Sequence, residues 1–228
     1  MTVTLITGAN KGIGYETARQ LLELGHQVYL GARDAERGEK AAAELGARFV
    51  QLDVTDDASV SNALATVDAA EGRLDVLVNN AGVLAAEAVD GPAALRAFDV
   101  NAVGMIRVIE AALPLLRKSP NANVVTVSSS MGSFWAVTNP DRPEHDMPLA
   151  VYAASKAAAT MLTVQYAKAH PGIRFNALEP GTTATDMTAA FGIGRPVQES
   201  ARVVVRLATL DASGPTGTLQ DEAGHLPW

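Results

Sequence analysis

The sequence predicts an α/β protein built on a doubly wound parallel sheet, in a single domain that spans residues 1–228. Short apolar runs alternate with amphipathic stretches of helical period along the whole chain. A glycine-rich turn at residues 7–14 follows the first apolar run and opens the first helical stretch. The length suits one core, and no repeat or low-complexity tract divides the chain.

Composition narrows the classes of partner and compartment. Hydrophobic residues make up 48% of the chain, and the net charge of -7 provides no basic field for nucleic acid or an anionic membrane. Cysteine is absent and the four histidines lack metal-ligand spacing, so we expect neither disulfides nor a metal site. With no secretory signal and no apolar stretch long enough to span a bilayer, a cytoplasmic protein is expected.

The first three elements form a predicted β-α-β unit of the Rossmann-like kind. Residues 3–6 are an apolar strand, residues 15–24 a helix and residues 27–33 a second strand. In this context a glycine turn brings the backbone close to a phosphate and points the first N–H groups of the helix at it. Without that context, three glycines indicate only a turn. The residues expected to hold a dinucleotide here are Gly8, Asn10, Lys11, Gly12, Ile13 and Gly14.

The end of the second strand bears on the choice of cofactor. A carboxylate there would bind the ribose hydroxyls of NAD, whereas an arginine accommodates the 2′-phosphate of NADP. The chain has Ala32 followed by Arg33, and Lys11 supplies a second cation, so NADP(H) is the predicted cofactor. The alternatives are that Arg33 is a solvated charge and that Asp34 caps the next helix.

Strands and helices continue to alternate along the rest of the chain. The predicted helices cover residues 35–46, the stretch from 57 to about 72, 92–118, 152 to about 166, and 196–210. The predicted strands cover residues 47–52, 74–78, 123–127, 173–178 and 217–220. Residues 133–148 show neither period and are expected to form a loop that lines or covers a substrate pocket.

Polar and small residues follow the predicted strands at the edge where an open parallel sheet binds its ligand. Those after the third and fourth strands are expected to contact adenine and ribose, and those after the sixth a carboxamide or pyrophosphate. Helix caps and plain turns are the alternatives. The residues are Asp53, Val54, Asn79, Ala81, Gly82, Pro180, Gly181, Thr183 and Thr185.

Four further side chains are candidates for chemistry. Tyr152 and Lys156 lie four residues apart, on one face of the predicted helix, where a cation would favour the phenolate and lower the pKa of the phenol. Asn101 lies inside a predicted helix, where it either satisfies a backbone bond or kinks the helix and binds a water. Ser129 belongs to a serine triplet after the fifth strand, which in most proteins is only a loop.

Taken in order, these motifs make the chain similar to the short-chain dehydrogenase/reductase family over almost its entire length. The resemblance implies hydride transfer with a nicotinamide cofactor and a catalytic tetrad of Asn101, Ser129, Tyr152 and Lys156. Matching the family's strand-Ser-Ser-x-x-Gly pattern selects Ser129, with Ser128 as the alternative. The glycine turn, the Ala32-Arg33 strand end and the segment before Tyr152 most resemble the NADPH-dependent carbonyl reductase branch.

The implied activity is reduction of a ketone or aldehyde to an alcohol, with NADPH as hydride source and Tyr152 as proton donor. A non-catalytic NADPH-binding sensor or scaffold is the main alternative, and a methyltransferase and a hydrolase receive less support. Apolar side chains in the predicted pocket favour an apolar or aromatic small-molecule carbonyl or alcohol, and a monomer and a homo-oligomer both remain open. These side chains are Phe134, Trp135, Met147, Met187 and Phe191.

Overall fold

The fold was analysed in a computed structural model, which describes residues 1–84, 89–189 and 192–228. Its centre is one eight-stranded sheet with strand order β3-β2-β1-β4-β5-β6-β7-β8. Every neighbouring pair is parallel except β7 with β8, which is antiparallel. The strands are β1 Val3–Ile6, β2 Gln27–Ala32, β3 Arg48–Gln51, β4 Val76–Asn79, β5 Ala122–Val127, β6 Ile173–Leu178, β7 Thr218–Asp221 and β8 Gly224–His225.

Helices cover both faces of the sheet, as the predicted doubly wound α/β fold requires. Helices α1 and α8 pack together on one face, and α3 packs against α5 on the other, where α7 also lies. The described helices are α1 Gly12–Glu23, α2 Ala35–Leu45, α3 Asp57–Glu71, α4 Gly91–Phe98, α5 Gly104–Leu116, α6 Phe134–Thr138, α7 Ala150–Ala169 and α8 Val197–Ala208.

The strand order reverses between β1 and β4, because the chain first adds strands on one side of β1 and then on the other. Such a reversal leaves a crevice outside the carboxyl ends of the strands, which is where open α/β sheets bind ligands. Fully buried side chains such as Leu5, Leu77 and Phe175 fix the sheet below this crevice, each stabilising the fold by about 2 kcal/mol. The predicted ligand edge of the sheet therefore has a rigid base.

The sequence prediction missed short elements in two places. Residues 133–148 contain the short helix α6 and a 3-10 turn, Pro143–Asp146, so the prediction of a loop without regular structure is wrong in part. Ser133 caps α6 by accepting a hydrogen bond from the N–H of Ala136 at 3.0 Å. Single turns of this kind are too short to produce a hydrophobic period. The final hairpin strand β8, two residues long, was not predicted for the same reason.

The helix predicted over residues 92–118 is interrupted by a π-helical turn, Asp99–Val103, that joins α4 to α5. The π-helical turn contains Asn101, at the point where the sequence indicated a kink. A π-helical turn inserts an extra residue and frequently marks a functional site. It brings Asn101, which is 4% exposed, towards helix α7.

Candidate active site

The glycine turn after β1 has the geometry of an anion-binding loop. Gly8 and Gly12 have φ angles of 62° and 60°, which residues with a side chain rarely adopt. The side-chain amide of Asn80 donates to the carbonyl oxygens of Thr7 and Gly8 at 2.9 and 3.0 Å and so joins the ends of β1 and β4. The amino end of α1 has no side-chain cap and no acidic residue in its first turn, so its N–H groups can receive an anion.

The cations near this turn have different surroundings. Lys11 donates to Asp186 at 2.7 Å, and both side chains are exposed, so Lys11 reaches across the crevice rather than towards β2. Arg33 is exposed at the end of β2. Asp34 caps α2 by accepting from the N–H of Arg37 at 3.0 Å, and the Arg37 guanidinium pairs with its carboxylate. Capping is the role that the sequence indicated for Asp34, and Arg37 is a cation that the sequence analysis did not single out.

Asn79, at the end of β4, carries polar atoms that the protein leaves without partners. Within the described part of the chain, neither its amide nitrogen nor its amide oxygen has a hydrogen-bond partner, although both are buried. The side chain lines a cavity of about 10 Å³, together with residues that include Thr7, Asn101 and Lys156. Orphaned buried polar groups are costly and typically mark a place where a water or ligand binds.

Asp53 and Val54 lie where the sequence placed them, beyond the end of β3. Asp53 accepts from the Thr55 N–H at 3.0 Å and from its hydroxyl at 2.7 Å through one oxygen, the turn role named as the alternative. Its other oxygen has no hydrogen bond among the described residues. Val54 is 7% exposed and lines the same cavity as Asn79.

Tyr152 and Lys156 lie on one face of α7, as predicted. The Lys156 ammonium is 5.8 Å from the centroid of the Tyr152 ring and donates to the carbonyl oxygen of Val127, the last residue of β5, at 2.7 Å. A Cβ atom at Gly82 would lie 3.4 Å from the same ammonium, so the loop after β4 and the end of β5 both reach Lys156. Lys156 is 5% exposed, and Tyr152 is half-buried at the crevice.

Burial controls the proton affinities of this pair. Burial raises the pKa of Tyr152 to about 12, assisted by the charge of Glu179, while a hydrogen bond from Ser129 acts in the opposite direction. Burial lowers the pKa of Lys156 to about 8. The predicted lowering of the Tyr152 pKa is therefore wrong in direction, because burial and the charge of Glu179 raise it. The phenol is held in its protonated form, as a proton donor requires.

The serine triplet separates into different roles. The Ser128 hydroxyl donates to the Lys156 carbonyl oxygen at 3.1 Å and bonds the Thr160 hydroxyl at 2.7 Å, so it faces the buried side of α7. Ser129 instead lies beside the Tyr152 phenol, whose pKa it lowers. Of the two serines considered, Ser129 is the one placed to act with Tyr152.

Asn101 uses its whole side chain within the protein. Its amide nitrogen donates to the Val83 carbonyl oxygen and to the Ser155 hydroxyl, both at 2.9 Å, and its amide oxygen accepts from the Val83 N–H at 2.8 Å. The satisfied-bond alternative therefore describes the side chain. Asn101 thereby ties the loop after β4 to α7, next to the Tyr152–Lys156 pair.

The residues after β6 form a tight turn whose polar groups are largely used. Gly181 has a φ of 75° and follows Pro180, whose carbonyl oxygen accepts from the Arg195 guanidinium at 2.6 and 3.0 Å. The Thr183 hydroxyl donates to the Gly181 carbonyl oxygen at 2.8 Å and bonds the Ser200 hydroxyl at 2.6 Å. Thr185 lies opposite the glycine turn, with its methyl group 3.4 Å from a Cβ built on Gly12.

The apolar side chains proposed for the substrate pocket are partly exposed, with Phe134 71% and Trp135 39% exposed. Met147 and Met187 are also exposed, and Phe191 lies outside the described residues. Within the described ranges, no group of three or more His, Asp or Glu residues is placed to hold a metal, and no helix is long and apolar enough to cross a membrane.

Comparison with known proteins decides the family. The family described as short chain dehydrogenase matches residues 2–195. The chain belongs to the short-chain dehydrogenase/reductase family. The (-)-isopiperitenone reductase of Mentha piperita is 34% identical, over 93% of this chain and 94% of its own. The (+)-neomenthol dehydrogenase of Arabidopsis thaliana is 33% identical, over 90% of each chain.

Solved structures agree with this family and with its carbonyl reductase-like branch. The NADPH-bound carbonyl reductase from chicken fatty liver superposes with a TM-score of 0.87 at 28% identity, covering 100% of both chains. Salutaridine reductase from Papaver somniferum superposes with a TM-score of 0.86 at 28% identity, covering 96% of this chain and 99% of its own. This short-chain dehydrogenase/reductase is thus an oxidoreductase by family.

One charged residue at the centre of this short-chain dehydrogenase/reductase was missed from the sequence. Glu179, directly after β6, accepts hydrogen bonds from the N–H groups of Ser130 and Gly181 at 2.5 and 2.7 Å. Its charge raises the pKa values of both Tyr152 and Lys156. The available signal was a carboxylate at the carboxyl end of a buried strand, the same signal that drew attention to Asp53.

Proposed function

We propose that this protein reduces a ketone or aldehyde to an alcohol, with NADPH as hydride donor and Tyr152 as proton donor. The observation that carries the proposal is the protonated, half-buried Tyr152 phenol beside Ser129 and Lys156, at the crevice of a dinucleotide-type sheet. The whole chain, residues 1–228, would act as one NADP-binding domain. A cytoplasmic location stays a prediction.

The residues around the crevice fit a dinucleotide. The uncapped amino end of α1 and the left-handed glycines Gly8 and Gly12 suit a pyrophosphate, which needs close approach to the backbone. The orphaned amide of Asn79 offers a donor and an acceptor of the kind that ribose hydroxyls use. Bound there, the nicotinamide would supply the hydride. Further proposed contacts are Asn10, Lys11, Ile13, Gly14, Arg33, Asp53, Val54, Ala81, Gly82, Tyr152, Lys156, Pro180, Gly181, Thr183 and Thr185.

The preference for NADP over NAD is proposed from charge. Arg33 follows β2 and Arg37 lies in the first turn of α2, and Asp34, the acid next to Arg33, is already used as a helix cap and paired with Arg37. An acid engaged in this way is a poor partner for ribose hydroxyls, whereas an exposed arginine suits a 2′-phosphate. Lys11 could contribute to binding of the 2′-phosphate only by leaving its ion pair with Asp186.

In the proposed reaction, Tyr152 donates its phenolic proton to the substrate oxygen and Ser129 holds that oxygen by a hydrogen bond. Because burial raises the pKa of Tyr152 to about 12, the proton is present throughout the neutral range. Lys156 binds the nicotinamide ribose and keeps the positive charge beside the phenol that favours loss of its proton. Asn101 supports this arrangement through Val83 and Ser155.

The relatives support a carbonyl substrate of small size. The relatives are named as a reductase for (-)-isopiperitenone and a dehydrogenase for (+)-neomenthol. We propose a substrate of comparable apolar character for this chain, in keeping with the exposed Phe134 and Trp135 of α6.

The test is a screen for carbonyl-dependent loss of NADPH absorbance with aldehydes, ketones and quinones. The proposal expects turnover with at least one apolar ketone or aldehyde, with an alcohol as product and NADPH preferred to NADH. Tight NADPH binding without turnover across the panel would instead support a non-catalytic sensor or scaffold. Absence of any nicotinamide binding would refute both.

A further inference from the structure

Glu179 is a charged residue at the centre of the crevice that the proposed reaction does not use. It directly follows β6, and its backbone N–H donates to the Gln220 carbonyl oxygen of β7 at 2.8 Å, which fixes its main chain in the sheet. Its carboxylate points along the carboxyl edge of the sheet, towards the loop that follows β5. A carboxylate in so enclosed a position is costly unless it is hydrogen bonded.

Both oxygens of this carboxylate have backbone partners in different loops. One oxygen accepts from the Ser130 N–H at 2.5 Å, next to Ser129, and the other accepts from the Gly181 N–H at 2.7 Å, next to Pro180. Because both partners are N–H donors, the ionised carboxylate of Glu179 can accept both hydrogen bonds. One side chain thus connects the loop that carries the proposed oxygen-holding serine to the turn proposed to contact the cofactor.

The serine loop also packs against α7. A Cβ atom at Gly132 would lie 2.6 Å from the Lys156 carbonyl carbon, so this glycine packs directly on the α7 backbone. The Ser129 hydroxyl accepts from the Met131 N–H at 3.2 Å, within the loop itself. Only Glu179, among the described contacts of residues 129–132, joins this loop to the end of β6 through a side chain.

We propose that Glu179 is a positioning residue, whose carboxylate holds the Ser129 loop and the Pro180–Gly181 turn in register with Tyr152. This inference rests on the proposed reductase function for its kinetic consequences, but the bridge itself does not depend on catalysis. A displacement of about 1 Å at a reacting group commonly costs about 100-fold in rate, so a bridge of this kind matters for turnover.

The charge of Glu179 has a second consequence for the same site. The charged or titratable groups that interact with it are Tyr152 and Lys156 of α7, Glu144 of the 3-10 turn Pro143–Asp146, and Arg142, which precedes that turn. Arg195 bonds the carbonyl oxygen of the adjacent Pro180. Burial raises the pKa of Glu179, and Glu144 raises it further, while its backbone bonds lower it. Its negative charge in turn raises the pKa of Tyr152, which disfavours the phenolate.

Two substitutions separate the effect of the two hydrogen bonds, to Ser130 and Gly181, from the effect of the negative charge of Glu179. Glu179→Gln keeps the shape but removes the charge and one of the two acceptors. Glu179→Asp keeps the charge but is one methylene shorter, so it cannot reach both N–H groups at once. Glu23→Gln is the matched control, because Glu23 is an exposed carboxylate near the end of α1 that pairs only with Arg19 among the described residues.

The kinetic readout is the pH dependence of kcat for alcohol oxidation, together with KM for the alcohol. We expect both Glu179 variants to lose about 10- to 100-fold in kcat, and Glu23→Gln to match the parent. We expect the pH midpoint of oxidation to fall by about one unit in Glu179→Gln and to stay in place in Glu179→Asp. A parental kcat in both variants, or a loss of kcat without a lower midpoint in Glu179→Gln, would overturn the proposal.

A measurement that needs no turnover tests the hydrogen bonds of Glu179 independently of the proposed function. Amide hydrogen exchange of the purified full chain should be slow at Ser130 and Gly181 in the parent and in Glu23→Gln, and faster at both in the Glu179 variants. Unchanged exchange at these two amides would overturn the proposed bridge even if the parent reduces carbonyls. If the parent reduces none, the exchange result still decides the bridge while the proposed function fails. If Glu179→Gln does not fold, Glu179→Asp gives the same decision.

Discussion

Replacing the Tyr152 phenol by a phenyl ring is the sharpest perturbation of the proposed chemistry. Tyr152→Phe removes one oxygen from the crevice and leaves the ring, so packing against α7 is retained. Proton donation by a placed acid is worth about 10² to 10⁴ in rate, which is about 3 to 5 kcal/mol of transition-state stabilisation. We therefore expect kcat to fall by that factor, while the free energy of unfolding changes by less than about 1 kcal/mol.

The pH dependence of the parent follows from the same residue. Because the pKa of Tyr152 is raised to about 12, the acid form is present at neutral pH, and carbonyl reduction should not lose its proton donor there. Alcohol oxidation needs the phenolate as base, so its rate should rise with pH towards that value. A reduction rate that falls in the neutral range because a phenol titrates would contradict this assignment.

The assay compares steady-state NADPH consumption, NADPH affinity by fluorescence and thermal unfolding in parent and variant. Tyr166→Phe is the matched control, because Tyr166 lies on the same helix but donates its hydroxyl to exposed Glu110 at 2.7 Å. The control should retain turnover, and Tyr152→Phe should retain NADPH binding. The reasoning is refuted if Tyr152→Phe reduces carbonyls at the parental rate.

Three further substitutions test other parts of the account. Lys156→Met should raise the free energy of unfolding near neutral pH, because burial lowers the pKa of Lys156 to about 8 and so disfavours its charged form in the fold. Between about pH 8 and 10.5 the unfolded parent binds more protons than the folded parent, so the stability of the parent should rise with pH by on the order of 3 kcal/mol. Arg33→Asp should weaken NADPH binding by about tenfold or more and leave NADH binding much less affected. Gly8→Ala should cost about 2 kcal/mol or more, because its φ is +62° and a Cβ would lie 2.9 Å from the Ala81 Cα.

Each of these changes has a matched control in the chain. Lys168→Met changes an exposed lysine of the same helix, so urea unfolding should show no comparable stabilisation. Arg117→Asp reverses an exposed charge next to α5. It should leave the ratio between the dissociation constants of NADPH and NADH unchanged. Gly25→Ala has a similar φ of +81° but open space around it, so it should cost less than Gly8→Ala. Equal effects in any pair would contradict the corresponding explanation.

The sequence predicted most of the fold because its signals are local. The order of strands and helices follows from hydrophobic period, and the strand-turn-helix unit around Gly8 and Gly12 follows from glycine chemistry. The π-helical turn at Asn101 was indicated by a polar residue inside a helix, although its type was not. The short elements between residues 133 and 148 were missed because they are single turns.

The positions of the candidate residues were predicted more fully than their electrostatics. Tyr152, Lys156 and Ser129 come together as expected, since each follows from a position at a strand end or on a helix face. The pKa of Tyr152 was predicted in the wrong direction, because burial depends on long-range packing that spacing does not reveal. Glu179 was missed for a related reason: its importance lies in a hydrogen bond to the backbone of the distant serine loop, in addition to one within its own turn.

Direct hydride transfer is the central claim, and isotope transfer tests it most directly. NADPH carrying deuterium at the transferable nicotinamide position would be incubated with the parent enzyme and an apolar ketone found in the screen, and the alcohol analysed by mass spectrometry and NMR. The account predicts one deuterium on the carbinol carbon for each NADPH consumed. An alcohol formed without the label in experiments with either stereoisomer of the labelled cofactor would contradict it.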